Sequence, residues 1–166
     1  MLKKLILTGI TFLTMSNIFS QGKNTVYMEA IGVGLLYSLN YERNINDNIT
    51  VRVGYSAFPL DPEFDIDSGT IDGKSTFTSI PIIANYLIGG GNHKLAVSGG
   101  VSIISLDAET TFGDFDLAST TAKVFGGGYR YHSLTGGLFF NVSTYLIYFS
   151  DIGRLPTFGY GFGWTF

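Results

Sequence analysis

From Lys23 onward, apolar and polar residues alternate with a period of two in one run after another. In LLYSLNYER, Leu35, Tyr37, Leu39 and Tyr41 alternate with Ser38, Asn40 and Glu42. In ITVRVGYSA, Ile49, Val51, Val53 and Tyr55 alternate with Thr50, Arg52, Gly54 and Ser56. Successive strand side chains point to opposite faces, so each run reads as a strand with one apolar and one polar side. Residues 80–86 set Ile80, Ile82, Ala84 and Tyr86 against Asn85, and GLFFNVSTYLIY sets Leu138, Phe140, Val142, Leu146 and Tyr148 against Asn141 and Ser143. The pattern predicts eight strands, over residues 25–31, 35–45, 49–58, 77–88, 93–106, 119–131, 136–148 and 157–166. Segments 93–106 and 119–131 sort less cleanly, because glycine and valine fall on both faces.

Cross-strand partners in a hairpin share a face, so loop length and face parity must agree. Apolar positions are odd in both 35–45 and 49–58, which requires an odd loop. Asn46-Asp47-Asn48 supplies it, with asparagine suited to the left-handed position of a three-residue loop. Parity switches between 77–88 and 93–106, and again between 119–131 and 136–148; Gly89-Gly90-Gly91-Asn92 and His132-Ser133-Leu134-Thr135 supply the even loops. The connections at the opposite ends, 59–76, 107–118 and 149–156, are longer. Val33-Gly34 is the exception. Read as a tight turn it gives eight strands; read as a bulge inside one long strand it gives seven.

The segment TFGYGFGWTF, residues 157–166, puts Phe158, Tyr160, Phe162, Trp164 and Phe166 on one face and Gly159, Gly161, Gly163 and Thr165 on the other. The outward positions of 35–58, 80–86, 138–148 and 158–166 carry a single charge, Arg43, close to a turn. A soluble β-sandwich would wet its outer face and place charges there. Hydrocarbon explains their depletion, and it demands a closed sheet because every backbone group must be paired. Ten residues at about 3.3 Å, tilted about 40°, rise about 25 Å, the height of the apolar band of a membrane barrel. Pro81 forfeits a ladder bond and is expected near the outer end of its strand.

Composition narrows the picture. A chain of 166 residues points to a single domain. Hydrophobic residues make up 45% and charged residues 14%, and no stretch after residue 20 approaches the roughly 20 unbroken apolar residues of a spanning helix. The absence of cysteine excludes a disulfide framework and thiolate metal sites. Residues 1–20, MLKKLILTGITFLTMSNIFS, read as a cleaved signal peptide, with Lys3 and Lys4 ahead of a short apolar run from Leu5 to Met15. Residues 21–166 would then form the barrel. The mature segment keeps eight basic residues against 13 acidic ones, a balance that argues against nucleic-acid binding.

With these residues in view, the chain resembles the small outer-membrane β-barrel family of Gram-negative envelopes, of the OmpA-transmembrane and OmpX type. The resemblance covers the whole mature segment and is most specific at its end, where Phe166 follows apolar residues at 158, 160, 162 and 164. It implies an eight-stranded antiparallel up-and-down transmembrane β-barrel, integral to the outer membrane. The last strand resembles the assembly signal read by the barrel-insertion machinery. Its aromatics would face lipid, and short turns and long loops would mark the periplasmic and extracellular rims.

The same parity sends Glu29, Glu42, Arg52 and Arg130 inward, at similar depth, with Glu42 and Arg52 directly opposite each other in their hairpin. Buried charges must be paired, and these four can satisfy one another as a structural plug; a gate or proton route is the alternative. Eight strands leave room for side chains or one small ligand, so no general pore is expected. His93 and His132 fall at the periplasmic turns, away from the outer rim where lipid-modifying barrel enzymes work, and no catalytic residue or cofactor is expected. The outer loops hold nine of the 13 acids. Asp61, Glu63, Asp65 and Asp67 alternate as calcium ligands can, yet they lack the glycine and glutamate of an EF-hand loop; a solvated anionic hairpin is the simpler reading. The expected function is non-enzymatic: a monomer in outer-membrane lipid, with a plugged lumen and extended acidic loops, serving surface interaction or envelope integrity. A narrow conduit for a small apolar molecule is the alternative, and a lipid-modifying enzyme is a third reading.

Overall fold

Eight of the alternating segments close into a barrel. A computed structural model describes residues 23–60, 63–66, 69–72, 74–110, 113–133, 135–149 and 153–166, with backbone alone over the outermost hairpins. The strands are β1 (Asn24–Ile31), β2 (Tyr37–Asn44), β3 (Ile49–Leu60), β4 (Glu63–Ile66), β5 (Gly69–Asp72), β6 (Lys74–Ile88), β7 (His93–Thr110), β8 (Gly113–His132), β9 (Gly137–Phe149) and β10 (Gly153–Thr165). All pairs are antiparallel. The wall runs β1-β10-β9-β8-β7-β6-β3-β2 and closes on itself, while β4 and β5 form a separate two-stranded hairpin. The seam between first and last strands is regular, from Thr25↔Thr165 to Ile31↔Gly159.

The predicted registers hold where the turns are short. Glu42 pairs with Arg52, Ile88 with Leu95 and Arg130 with Asn141. The turn after β2 is held differently from expectation. Asn46 Oδ1 accepts from the backbone N–H groups of Asn48 and Ile49, at 2.9 and 2.8 Å. No asparagine there is left-handed; the side chain, not an unusual backbone, makes the turn.

Larger departures lie at the outer ends. β6, β7, β8 and β10 all begin or end several residues beyond the predicted limits, so much of the supposed loop sequence is strand. At roughly 2.5 Å of rise per tilted residue, the 20 residues of β8 span about 50 Å, twice the apolar band. The extension also relocates Pro81, which sits in the middle of β6 rather than near its outer end. It faces Gly54 of β3, where the β3–β6 ladder is interrupted between Val53↔Ile82 and Ser56↔Ser79. A Cβ on Gly54 would come within 2.8 Å of the proline ring, so the glycine makes room for a residue that cannot bond toward β3 anyway. In the outermost hairpins acids stand opposite acids: Glu63↔Asp72, Glu109↔Asp114 and Asp107↔Asp116.

Val33-Gly34 is a turn, not a bulge, and there are eight barrel strands. A 3-10 turn over Gly32–Gly34 joins β1 to β2, starting β2 two residues later than predicted. It folds into the barrel mouth, with Val33 fully buried, and Ser56 Oγ donates to Gly34 O at 3.0 Å. Ile31 and Leu35, flanking the turn, adopt φ of 61° and 67°.

Outside, the wall is an apolar belt. Leu39, Tyr55, Tyr86, Leu95, Val97, Phe125 and Leu138 are each more than half exposed. Inside lie polar and charged side chains below and an apolar cluster above, including Phe58, Phe77, Ile83, Ile104 and Ile147. This inverts a soluble protein.

Candidate functional site: a buried charge network

Glu29 from β1, Glu42 from β2, Arg52 from β3 and Arg130 from β8 all project into the lumen, and all are buried to within 3% of full exclusion from solvent. Each belongs to the inward set of its strand, so the period-two pattern alone fixes their direction. Their pairing follows a different rule. Glu42 and Arg52 are register partners, yet each forms its ion pair elsewhere. Arg52 Nη1 reaches Glu29 Oε1 and Oε2 at 3.1 and 3.2 Å. Arg130 grips Glu42 in fork geometry, Nη1 to Oε1 and Nη2 to Oε2, the latter at 3.2 Å. The second pair bridges β8 and β2 across the interior.

Neutral residues complete both carboxylates. Tyr145 OH and Asn141 Nδ2 donate to Glu29 Oε1 at 3.0 and 3.4 Å, and Asn85 Nδ2 donates to Glu42 Oε2 at 3.3 Å. Arg52 Nη1 also donates to Tyr27 OH at 2.7 Å, and Ser98 Oγ donates to Asn85 Oδ1 at 2.7 Å. The guanidinium of Arg52 lies 5.2 Å from the Tyr145 ring centre, and that of Arg130 lies 5.3 Å from the Phe139 ring centre. The sequence pattern places Asn85 and Asn141 on the polar faces of their strands without joining them to the four charges, and it does not single out Tyr27 or Tyr145. Their signal was available, because all four of these neutral residues share the inward parity of their strands.

The lumen-facing glycines of β10 are part of the same packing. A Cβ on Gly161 would collide with Asn141 Oδ1 and stand 3.0 Å from the Tyr27 ring, and one on Gly159 would stand 2.8 Å from Glu29 Oε1. The glycine stripe is therefore filled by larger neighbours. On the other side of β10, Phe158, Tyr160, Phe162 and Trp164 are 57, 52, 63 and 56% exposed. Phe166 exchanges backbone hydrogen bonds with Asn24, at 2.8 and 3.0 Å, and extends the seam.

The remaining candidates do not assemble into a reactive group. His93 is exposed at the base of β7, its Nδ1 2.6 Å from Tyr129 OH. His132 is buried at the base of β8, its Nε2 3.4 Å from Asn44 Nδ2. The neighbouring Ser133 hydroxyl donates to Gly136 O at 2.6 Å rather than to the imidazole. Asp61 and Asp67 lie outside the described residues, and Glu63 and Asp65 fall on β4, of which only backbone is described. Among the described residues no group of three or more His, Cys, Asp or Glu converges.

No family profile matches the sequence, and no curated protein matches it. Solved structures do. The N-terminal β-barrel domain of Pseudomonas aeruginosa OprF is 18% identical, aligned over 89% of this chain and 99% of that one, with a TM-score of 0.61. Ail, the attachment invasion locus protein of Yersinia pestis, is 16% identical over 88% and 99%, with a TM-score of 0.55. Neisserial surface protein A is 15% identical over 87% and 94%, with a TM-score of 0.53. Closed antiparallel topology, an apolar exterior and these likenesses converge: the chain has the fold of the small eight-stranded outer-membrane β-barrels.

Proposed function

We propose that this protein is a non-enzymatic, monomeric barrel of a Gram-negative outer membrane, closed to solute flow and serving surface interaction or envelope integrity. The observation that carries the reading is the inversion of the wall: aromatic and aliphatic side chains outside, two Arg–Glu pairs inside. Insertion covers the exterior with hydrocarbon, and the strand ladders satisfy the backbone there. Residues 1–20 serve as the export signal, and the terminal strand is presented to the insertion machinery. The four charges act as a plug. In support, the positions where glycine could have left a continuous channel are occupied by Glu29, Asn141 and Tyr27.

The surface role rests on the tall outer hairpins. Nine of the 13 acids fall in the two segments around 61–72 and 107–116, and registers such as Glu109↔Asp114 concentrate the charge. Ail has been crystallised with the heparin analogue sucrose octasulfate, a polyanion. An acidic crown repels a polysulfate and favours cationic surfaces or partners.

The test is refolding in detergent followed by gel electrophoresis with and without boiling, then planar-bilayer conductance. A heat-dependent shift in migration and a silent bilayer are expected. A shifted band with steady unitary currents would refute the plug; no shift under any refolding condition would refute the membrane barrel itself.

A further inference from the structure

Between the two rims, the outward wall carries no charged side chain among the described residues until Lys123 is reached. Lys123 of β8 is in register with Tyr148 of β9, and Tyr148 is in register with Arg154 of β10. All three are exposed and share the outward parity of their strands. Counting along β8 from His132, Lys123 stands about 23 Å above the periplasmic end, and Arg154 stands about 28 Å above Thr165. The row therefore lies at the upper edge of an apolar band about 25 Å tall, where lipid head groups begin. The two cations are separated by two strand spacings, about 10 Å, which their long side chains can close onto one anion.

Around this row the wall is concave. A groove of about 430 Å³ is lined by Thr121, Lys123, Phe125, Leu146, Tyr148 and Phe149. Its volume falls within the roughly 300–1,000 Å³ of small-molecule sites. The rings of Phe125 and Tyr148 meet edge to face, 5.9 Å apart, giving it an aromatic side. Neither Lys123 nor Arg154 forms an ion pair among the described residues. Elsewhere on the protein, buried arginines are matched to carboxylates. Among the described residues no carboxylate meets these two cations, which stand at the boundary of hydrocarbon.

We propose that the groove at β8–β9, with Arg154 of β10 beside it, is a binding site for a phosphate-bearing lipid of the outer leaflet, with an acyl chain along Phe125 and Leu146 and the phosphate between Lys123 and Arg154. The proposal rests on the membrane reading above. Lys123 and Arg154 recognise the anion, and Tyr148 supplies an amphipathic interface ring. Such a lipid would be retained against the barrel rather than exchanged freely with bulk lipid, and it would couple the wall to the negatively charged leaflet despite the acidic hairpins above.

Native mass spectrometry on the refolded chain in a neutral detergent tests this, titrating an acylated bis-phosphorylated glucosamine disaccharide and its dephosphorylated analogue. One tightly retained phosphorylated lipid is expected. The double variant Lys123→Gln/Arg154→Gln should bind about thirtyfold more weakly, and the dephosphorylated lipid should bind the wild type as weakly. Arg43→Gln, which removes an outward cation at the opposite rim, should leave binding unchanged, as should excess inorganic phosphate. Equal binding of both lipids, an unaffected double variant, an equal loss in Arg43→Gln, or full displacement by inorganic phosphate would each overturn the site. Heat-dependent migration of each variant separates the levels: a folded wild type indifferent to lipid phosphate sinks the site alone, whereas a wild type that never folds sinks the membrane reading and the site together.

Discussion

Replacing Glu42 by glutamine removes one negative charge from the lumen and leaves Arg130 facing an amide in a space closed to water. In the native arrangement Glu42 accepts two bonds from Arg130 and one from Asn85, with both charged side chains buried. Breaking a buried pair by removing one partner costs about 3–5 kcal/mol, because the surviving charge keeps its desolvation penalty without its counterion. With a urea dependence of about 2 kcal/mol per molar, that loss moves the unfolding midpoint down by about 2 M. The assay is equilibrium urea unfolding of protein refolded into lipid vesicles, read from the fluorescence of the single tryptophan, Trp164, which lies on the lipid face. Replacing both partners, Glu42→Leu with Arg130→Met, removes the uncompensated charge and should restore the midpoint to within about 0.5 M or exceed it. The cycle separates charge pairing from simple packing. A Glu42→Gln midpoint within 0.3 M of wild type, or a double variant as unstable as the single one, would falsify the claim that these charges are desolvated and mutually compensating.

Other perturbations probe other parts of the barrel. Gly161→Ala drives a methyl into Asn141 and Tyr27 and should cost about 1–3 kcal/mol, whereas Gly99→Ala on the open outer wall should cost little; equal midpoints would show the lumen is not filled there. Tyr160 stands about 13 Å above the periplasmic end, near the bilayer midplane, so Tyr160→Arg should cost about 2–4 kcal/mol and Trp164→Arg, near the interface, at most about 1; the reverse order in vesicle unfolding would move the membrane boundaries along the strands. Ile31 is β-branched at φ 61°, and Ile31→Gly should raise the midpoint by relieving a strain of about 1–3 kcal/mol, so a fall in the midpoint would mean the isoleucine side chain contributes more than its backbone costs.

Much of this architecture is legible in the residues because a barrel in lipid imposes two strict rules, alternation along each strand and parity across each hairpin. Tyr37 to Glu42 and Ile49 to Ser56 obey both, and the register Glu42↔Arg52 follows directly; Leu35, counted with them in the sequence, belongs instead to the turn and packs against the inner apolar cluster. The rules fail where their causes fade. Above the bilayer there is no hydrocarbon to enforce alternation, so strand sequence such as residues 107–110 and 113–118 reads as loop although it is paired. Ion partners across the lumen depend on barrel shear and side-chain reach, which is why Arg52 and Arg130 pair with Glu29 and Glu42 in a way hairpin arithmetic does not specify. Lys123 went unremarked because glycines at 126, 127 and 128 blur the faces of its segment, and only the closed wall shows it sharing a cross-strand row with Arg154.

The seam between β1 and β10 fixes an order of assembly. It has seven rungs, against eighteen between β7 and β8, and it joins residues such as Thr25 and Thr165 that are 140 positions apart. Bringing such distant segments together costs about 3 kcal/mol more in chain entropy than closing a four-residue turn. The tall hairpins can zip early from neighbours at hand, while the cylinder stays an open, curling sheet until the final rungs engage. That edge is also the one join of the wall whose two strands are not successive wall strands in the chain, so hydrogen bonds and side chains alone hold it, with no turn or hairpin to tie them.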